Sequence, residues 1–190
     1  MIVPLVNAAE STLARAFLWF PPLLFVVLAF VPDPPDAPTA PHWELLLSAV
    51  LFAAVFRLAP RRLRYRLTPD GLEIRRLLGT TLLPYVGMQA KTTVGRLGVR
   101  MFGTGLPGYL TGAFSFGSES LPTVTALASV GSGGILIGVP VERQSEGRSP
   151  LVLPINPATS GQPLRWYFLT PADPQQFLGE LARRGAVVAP

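Results

Sequence analysis

Two long apolar runs near the start of the chain differ from the mixed pattern that follows them. The first, Ala16 to Val31, has sixteen residues without a charge, and the second, Leu45 to Phe56, has twelve. A helix rises 1.5 Å per residue, so a bilayer core of about 30 Å needs roughly twenty residues. With their flanks both runs approach that length, and we predict membrane spans at about residues 14–31 and 42–59.

The segment between the two runs, Pro32 to Glu44, has five prolines and no lysine or arginine, which predicts a short loop. The pattern therefore predicts a transmembrane helical hairpin within residues 1–62. A cleaved signal peptide is an alternative for the first run, but only Arg15 would form its basic region and no cleavage site follows Val31. An apolar hairpin packed on a soluble partner is the alternative to membrane insertion.

Basic residues at the ends of the predicted spans indicate their orientation. Arg15 precedes the first run, and Arg57, Arg61, Arg62 and Arg64 follow the second. Because basic residues concentrate on the cytoplasmic side of membrane spans, we expect a multi-pass protein of the cell membrane. Both termini and the domain that follows the spans are expected in the cytoplasm.

From Leu63 onward, short segments alternate apolar and polar positions, as half-buried strands do. We predict strands at Arg64–Leu67, Leu72–Arg76, Thr81–Tyr85, Leu110–Phe116, Pro122–Ser129, Ile135–Val139 and Leu164–Leu169. Gly131 to Gly134 is predicted to join the fifth and sixth of these as a hairpin. Val141 to Pro163 is polar and rich in turn residues, and it predicts a long loop.

Glycine dominates the segment from Arg100 to Phe116. Its glycines are Gly103, Gly105, Gly108 and Gly112. We predict an ordered loop leading into the strand at Leu110, because glycine permits tight turns. A phosphate-binding loop is the alternative, but the segment has neither the GxxxxGK[ST] pattern nor a GxGxxG that opens a helix.

The clearest predicted helix lies near the end of the chain. Asp173 is its expected N-cap, Pro174 its first residue and Gly185 its stop. Its apolar face consists of Phe177, Leu178 and Leu181. The fold class is therefore α+β: a transmembrane hairpin over residues 1–62, then a barrel or sandwich of about seven antiparallel strands over residues 63–186, capped by a C-terminal helix.

Four pieces of this pattern resemble the bacterial PH-like (pleckstrin-homology-like) domain family. They are YRLTPDGLEIRR at Tyr65–Arg76, LLPY at Leu82–Tyr85, the glycine block at Arg100–Phe116 and FLTPADPQQFLGEL at Phe168–Leu181. The resemblance covers roughly Leu63 to Gly185 and implies a two-sheet barrel with a helix cap, often beside membrane helices. It implies no enzymatic activity and no agreed ligand. A different small barrel, such as an OB-like one, is the alternative domain.

The charge is uneven along the chain. Arg57 to Arg100 holds ten basic residues and two acidic ones, a net charge of +8, whereas the rest carries −3. Such a region suits anionic lipid headgroups, and the candidates for that contact are Arg61, Arg62, Arg64, Arg66, Arg75 and Arg76. Lys91, Arg96 and Arg100 extend the set if the barrel presents them on the same side. The first four are also explained by topology alone.

Candidate catalytic chemistry is sparse. The chain has no cysteine, which excludes disulfides, thiolate metal sites and a cysteine nucleophile. Its single histidine, His42, could pair with Asp33, Asp36 or Glu44 in a membrane enzyme, but no nucleophile or metal-ligand pattern accompanies it. We therefore expect a non-enzymatic interaction module without cofactor or metal. Its expected partners are membrane lipid, another protein or a second copy, and not nucleic acid, whose motifs are missing.

Overall fold

The computed structural model describes residues 1–6, 12–31, 42–117, 121, 123–141 and 163–189. For residues 12–17 and 42 it describes the backbone only. Within these ranges the helices are α1 (Thr12–Leu28), α2 (His42–Arg62) and α3 (Pro174–Arg183). The strands are β1 (Ile2–Val3), β2 (Arg64–Leu67), β3 (Gly71–Arg75), β4 (Thr80–Pro84), β5 (Gln89–Thr92), β6 (Leu97–Leu106), β7 (Tyr109–Phe116), β8 (Thr123–Ala128), β9 (Ile135–Pro140), β10 (Leu164–Leu169) and β11 (Val187–Val188).

The described strands form two sheets, and the fold class α+β with a C-terminal helix is confirmed. The first sheet has the order β1-β2-β3-β4 and the second β11-β5-β9-β10-β8-β7-β6. All seven predicted strands are present with ends shifted by at most one residue, and β1, β5, β6 and β11 are additional. Tyr65, Leu72 and Ile74 of the first sheet and Ile137 and Leu169 of the second are buried in one shared core.

The second sheet is mixed, so the prediction of antiparallel strands alone is wrong. β10 runs parallel to β8, and β11 runs parallel to β5. β8 and β9 do not form the predicted hairpin around Gly131 to Gly134, because β10 lies between them. Tyr167, Phe168 and Leu169 are buried consecutively, as in a strand covered on both faces, and a central position satisfies that requirement.

The glycine block forms a hairpin of two paired strands, which corrects the predicted loop. β6 pairs with β7, and Gly103 lies directly opposite Gly112. Both have positive φ angles, 105° and 122°. A Cβ on Gly103 would lie 2.7 Å from the Cα of Gly112, so the two strands approach each other more closely than side chains allow.

The C-terminal helix is confirmed in detail. Asp173 Oδ1 accepts a hydrogen bond of 2.9 Å from the backbone N–H of Gln176, as an N-cap does. Gly185, with φ of 96°, follows the helix. Phe177, Leu178 and Leu181 are buried against the core. The helix therefore covers the core shared by the two sheets with the face that the sequence predicted.

The two N-terminal helices contact each other, but only one meets the criteria for a membrane span. The Phe25 ring of α1 stacks on Phe52 of α2 with centroids 5.5 Å apart. Among the described residues, Trp43–Arg62 is the one helix long and apolar enough to cross a membrane; the apolar part of α1, Leu18–Leu28, is shorter. Core helices of soluble proteins meet the same criteria, yet only 11% of this window is buried. A second span is not supported.

Both ends of the helical segment are attached to the β domain. β1 pairs with β2, with Ile2 opposite Arg66, and Val6 N–H donates to Thr170 O at 3.1 Å. At the other end, Ala59 of α2 and Leu63 are buried in the core. Residues 1–6 thus pack with the β domain, whereas the division by sequence placed them with the helices. The helices lie in the chain between two paired strands.

Candidate functional site

Three of the predicted arginines share the outer face of the first sheet. In β2 the side chains of Arg64 and Arg66 are exposed, while Tyr65 and Leu67 are buried. Across the ladder Arg64 lies opposite Arg75, and Arg66 lies opposite Glu73. Because side chains on paired residues project to the same face, the sheet collects these residues into what we call the arginine face.

The arginine face carries an excess of positive charge. Arg75 Nε donates to Glu73 Oε1 at 2.7 Å, in an ion pair whose arginine is well exposed. Arg64 lies opposite Arg75, and like charges in directly opposed positions repel. Glu73 therefore compensates one of the three positive charges, and a net charge of +2 on this face is left for solvent to screen or for an anion to neutralise.

Arg61 and Arg62 continue this surface into the end of α2. Both are exposed in the last helical turn, where positive charge is favourable next to the C-terminal dipole. Only Leu63 separates Arg62 from Arg64, and it is buried. The structure brings Arg64, Arg66 and Arg75 together on one face, and Arg61 and Arg62 directly precede that face in the chain. All five arginines are solvent-exposed.

Arg76 differs from the other five. Its side chain is half-buried, and its Nε has no hydrogen-bond partner among the described residues. Its backbone N–H donates to Gly79 O at 2.9 Å and so closes the turn between β3 and β4. Arg76 therefore lies at the edge of the arginine face rather than on it.

The possible extension of the arginine face is not found. Lys91 is on β5, where its ammonium lies 5.6 Å from the centre of the Trp166 ring. Arg96 precedes β6 and forms an isolated backbone β-bridge with Ser132, and Arg100 is exposed on β6. All three belong to the second sheet and its connections, so they do not enlarge the face formed by β2 and β3.

Three exposed aliphatic residues in turns were missed by the sequence analysis. Leu78, between β3 and β4, is 84% exposed; Val86, between β4 and β5, is 86% exposed; and Val94, between β5 and β6, is 92% exposed. Each directly precedes a glycine. An apolar residue next to a turn glycine was the available signal, because turns lie on the surface.

The buried polar groups of this region serve the fold. The Tyr65 hydroxyl donates to Leu127 O and accepts from Thr170 N–H at 3.2 Å. Burial raises the pKa of Tyr65 well above its ordinary value, because the charged phenolate would be desolvated. The hydroxyl therefore stays protonated and joins β2 to the second sheet.

The possible enzyme site cannot be assembled from the described part of the chain. His42 is the first residue of α2, and its side chain is not described; Asp33 and Asp36 lie outside the described ranges. Within those ranges no group of three or more histidine, aspartate or glutamate side chains could hold a metal ion. Most of the predicted loop from Val141 to Pro163 also lies outside, although Val141 N–H bonds Pro163 O at 2.9 Å.

Comparison with known proteins adds no assignment to this geometry. The resemblance to the PH-like family rests on the quoted sequence pieces, and the mixed second sheet departs from the antiparallel strands that the sequence pattern predicted. The chain matches no protein-family model, no curated protein and no solved structure.

Proposed function

We propose that the protein is a non-enzymatic interaction module anchored in the cell membrane, with α2 in the bilayer and α1 packed beside it. One observation carries this proposal: α2 has the length of a span and leaves its apolar side chains uncovered. Leu47, Val50 and Leu51 are among the most exposed side chains of the helix. Exposed apolar area costs about 25 cal/mol per Å² in water, and a bilayer removes that cost.

The arginines favour a cytoplasmic position for the β domain. Arg61 and Arg62 end α2, and the arginine face begins two residues later. Each basic residue close to an anionic leaflet contributes on the order of 1 kcal/mol. Because β1 pairs with β2, residues 1–6 and the β domain lie on the same side of the bilayer. α1, although it does not meet the criteria for a span by itself, would therefore have to return the chain across the bilayer beside α2. We propose that both termini are cytoplasmic and that the arginine face contacts anionic headgroups.

Extraction of cell envelopes tests the anchoring. We expect carbonate and high salt to leave the protein in the membrane and detergent to release it, because the anchor is apolar. A tag at the C-terminus should resist protease in intact cells and be digested after lysis. Release by carbonate, or digestion of the tag from outside, would contradict the proposal.

A second candidate function, protein recruitment, is favoured by strand β6. β6 is an edge strand of ten residues. Its first residue, Leu97, donates its N–H to Gly131 O at 2.8 Å, but no described strand pairs with β6 on the side away from β7. Val99, Met101 and Phe102 are exposed there, beside Arg100, and no acidic residue occurs between Val94 and Gly117. An extended acidic segment could pair with this edge and neutralise its charge. A second copy of β6 would oppose basic residues to basic residues, so we favour a different protein.

Variants of β6 and of β2 distinguish recruitment from non-specific contact. Arg100→Glu should abolish the co-purification of an acidic partner with the detergent-extracted protein, measured by native mass spectrometry. Arg66→Gln on β2 is the control, because it removes a similarly exposed charge from another sheet. Equal retention of the partner by both variants, or a second copy as the bound subunit, would contradict the assignment.

The PH-like identity of the β domain remains part of this proposal. Two sheets covered by a C-terminal helix support it, and the central parallel strand β10 counts against it. An OB-like or other small barrel remains the alternative. A scaffold of this kind does not fix function, so the proposal depends on the helices and the arginine face.

A further inference from the structure

The helices leave the β domain at one end of the second sheet. Val6, the last described residue before α1, donates through its N–H to Thr170 O and accepts at its O from Ser129 Oγ at 2.7 Å. Thr170 follows β10 and Ser129 follows β8. Because β8 and β10 are parallel, their carboxyl ends lie together. We call this the helix-proximal end.

Val94 lies at the same end. Leu169, the last residue of β10, is opposite Ile135, the first residue of β9, which in turn is opposite Thr92, the last residue of β5. Thr93 N–H then bonds Gly134 O at 3.1 Å. The turn after β5, which carries Val94, is therefore a neighbour of the strand ends that hold Val6.

Leu78, in a turn of the first sheet, also lies at the helix-proximal end. Arg75 is opposite Arg64, close to the end of α2, so the turn after β3 lies beside the helix. Leu77 N–H donates to the Tyr109 hydroxyl at 3.1 Å, and Tyr109 begins β7. The next residue of β7, Leu110, is opposite Ala128 at the carboxyl end of β8. Both sheets thus place an exposed aliphatic turn residue at the helix-proximal end.

We propose that this end rests on an anionic leaflet and that Leu78 and Val94 insert their side chains into its interfacial layer. Arginines flank each residue: Arg75 and Arg76 beside Leu78, and Arg96 beside Val94. Of the acids that the structure describes, Glu73 pairs with Arg75 and Asp173 caps α3. Apolar side chains between basic ones are the pattern of interfacial contact with anionic lipid.

Continuity with the anchor favours lipid over a protein partner at these turns. The inference rests on the proposed function, because α2 would bring the bilayer to the end of the domain that it leaves. β6, in contrast, offers open backbone groups along its edge, and such groups need hydrogen-bond partners that hydrocarbon cannot supply.

Val86 provides a matched control at the opposite end. Its side chain is 86% exposed, a fraction similar to the 92% of Val94. β4 runs from Thr80, opposite Arg75, to Pro84, opposite Gly71, and Val86 follows Pro84. Val86 therefore lies in a turn at the end of the domain away from the helices.

The absence of native cysteine makes the test direct. The full chain carries Val94→Cys, Leu78→Cys or Val86→Cys, is labelled with an environment-sensitive fluorophore and is reconstituted into liposomes with and without phosphatidylglycerol. We expect probes at positions 94 and 78 to be quenched by spin-labelled lipid and protected from iodide, more so with the anionic lipid. The probe at position 86 should be quenched by iodide only.

Two outcomes would overturn the inference, and each is separate from failure of the anchor. Equal iodide quenching at all three positions in carbonate-resistant proteoliposomes would show that the turns stay in water although the anchor holds. Equal protection of the probes at positions 78 and 94 from iodide, with and without anionic lipid, would show that the arginines do not contribute to the contact. If carbonate releases every variant, the proposed function itself fails.

Discussion

Tyr65 is the residue that joins the helical segment to the rest of the molecule. It lies three residues after α2, is fully buried, and bonds Leu127 O and Thr170 N–H of the second sheet through one hydroxyl. Its ring also lies 6.3 Å from that of Phe177 in α3. One side chain thus contacts both sheets and the capping helix.

Removal of this hydroxyl should destabilise the protein in a manner that depends on pH. Tyr65→Phe leaves two buried backbone groups without the hydroxyl that pairs with them, at about 1–3 kcal/mol each, so we expect the free energy of unfolding to fall by roughly 2–6 kcal/mol at pH 8. Denaturant titration in detergent measures the difference from the unaltered protein.

The sign of the pH effect follows from the raised pKa of Tyr65. An unfolded tyrosine loses its proton near pH 10, whereas the folded one retains it. The stability that Tyr65 contributes is complete below pH 10 and declines as the pH rises further, by up to about 1.4 kcal/mol per unit. The difference in free energy of unfolding between the unaltered protein and Tyr65→Phe should therefore be smaller at pH 11 than at pH 8. An equal difference at both pH values would contradict this account.

Gly103 should tolerate no side chain, in contrast to its neighbour Gly105. Gly103→Ala forces a Cβ into the backbone of β7 at a φ of 105°, and we expect a loss of at least about 2 kcal/mol in stability. At Gly105 a Cβ would meet the Arg100 side chain at 3.5 Å, an ordinary contact. Gly105→Ala should change stability by less than about 0.5 kcal/mol. Similar losses for both variants would contradict a specific close approach.

Gly103 and Tyr65 have partners that the sequence alone could not predict. Glycine weakens a strand, so four glycines in the seventeen residues from Arg100 to Phe116 favoured a loop. The compensating fact, that Gly103 faces Gly112 across a ladder, depends on strand pairing and is invisible in either segment alone. Tyr65 was predicted to lie in a strand, but its partners are more than sixty residues away.

Among the elements, α3 and β10 mark the two extremes of predictability. The start, face and end of α3 are local features, because cap, proline and stop residues act within a few positions, and all were confirmed. The bounds of β10 were predicted correctly from its aromatic residues, but its neighbours were not. Which strands flank it depends on the packing of the whole sheet. The exposed arginines of β2 and β3 were predicted; their register was not.

The like-charge pair in the arginine face should lower the stability of the protein and strengthen its binding of anions. Without anionic lipid, Arg64→Gln should raise stability by about 0.2–1 kcal/mol, because it relieves repulsion with Arg75. With anionic lipid, the same variant should bind about fivefold more weakly, equivalent to the loss of about 1 kcal/mol. Thermal unfolding and native mass spectrometry with added lipid measure the two effects.

Arg66→Gln is the control for these two measurements. Arg66 lies opposite Glu73, so its removal relieves no repulsion and should not raise stability. If Arg64→Gln and Arg66→Gln changed stability equally, the like-charge pair would have no special role. If lipid binding were unaffected by Arg64→Gln, the arginines would serve orientation alone.

At the scale of the whole molecule, the helices form an insertion between two strands of one sheet. β1 precedes them and β2 follows, and the two strands are paired in register, with Val3 opposite Tyr65. Leu67 N–H also bonds Met1 O at 2.9 Å. The domain fold therefore includes the first residues of the chain, and it does not depend on the helices for its sheet order.

Replacement of residues 7–62 by a short glycine–serine linker should consequently leave a folded β domain. The linker joins Val6 to Leu63, whose positions are fixed by Thr170 and by the core. We expect a protein that is released from cells without detergent and that retains cooperative unfolding, because β1 still covers the edge of β2. The buried Ala59 is lost, which should cost some stability but not the fold.

A deletion of residues 1–62 is the matched comparison for that variant. It also removes the helices, but it uncovers the edge of β2 and leaves Thr170 O and Ser129 Oγ without Val6. An open edge strand promotes association between molecules. The deletion should therefore unfold at lower denaturant concentration than the linker variant and aggregate at concentrations where the linker variant is monomeric in light scattering. Equal stability of the two would show that β1 contributes nothing, and the helices would then be an N-terminal extension rather than an insertion.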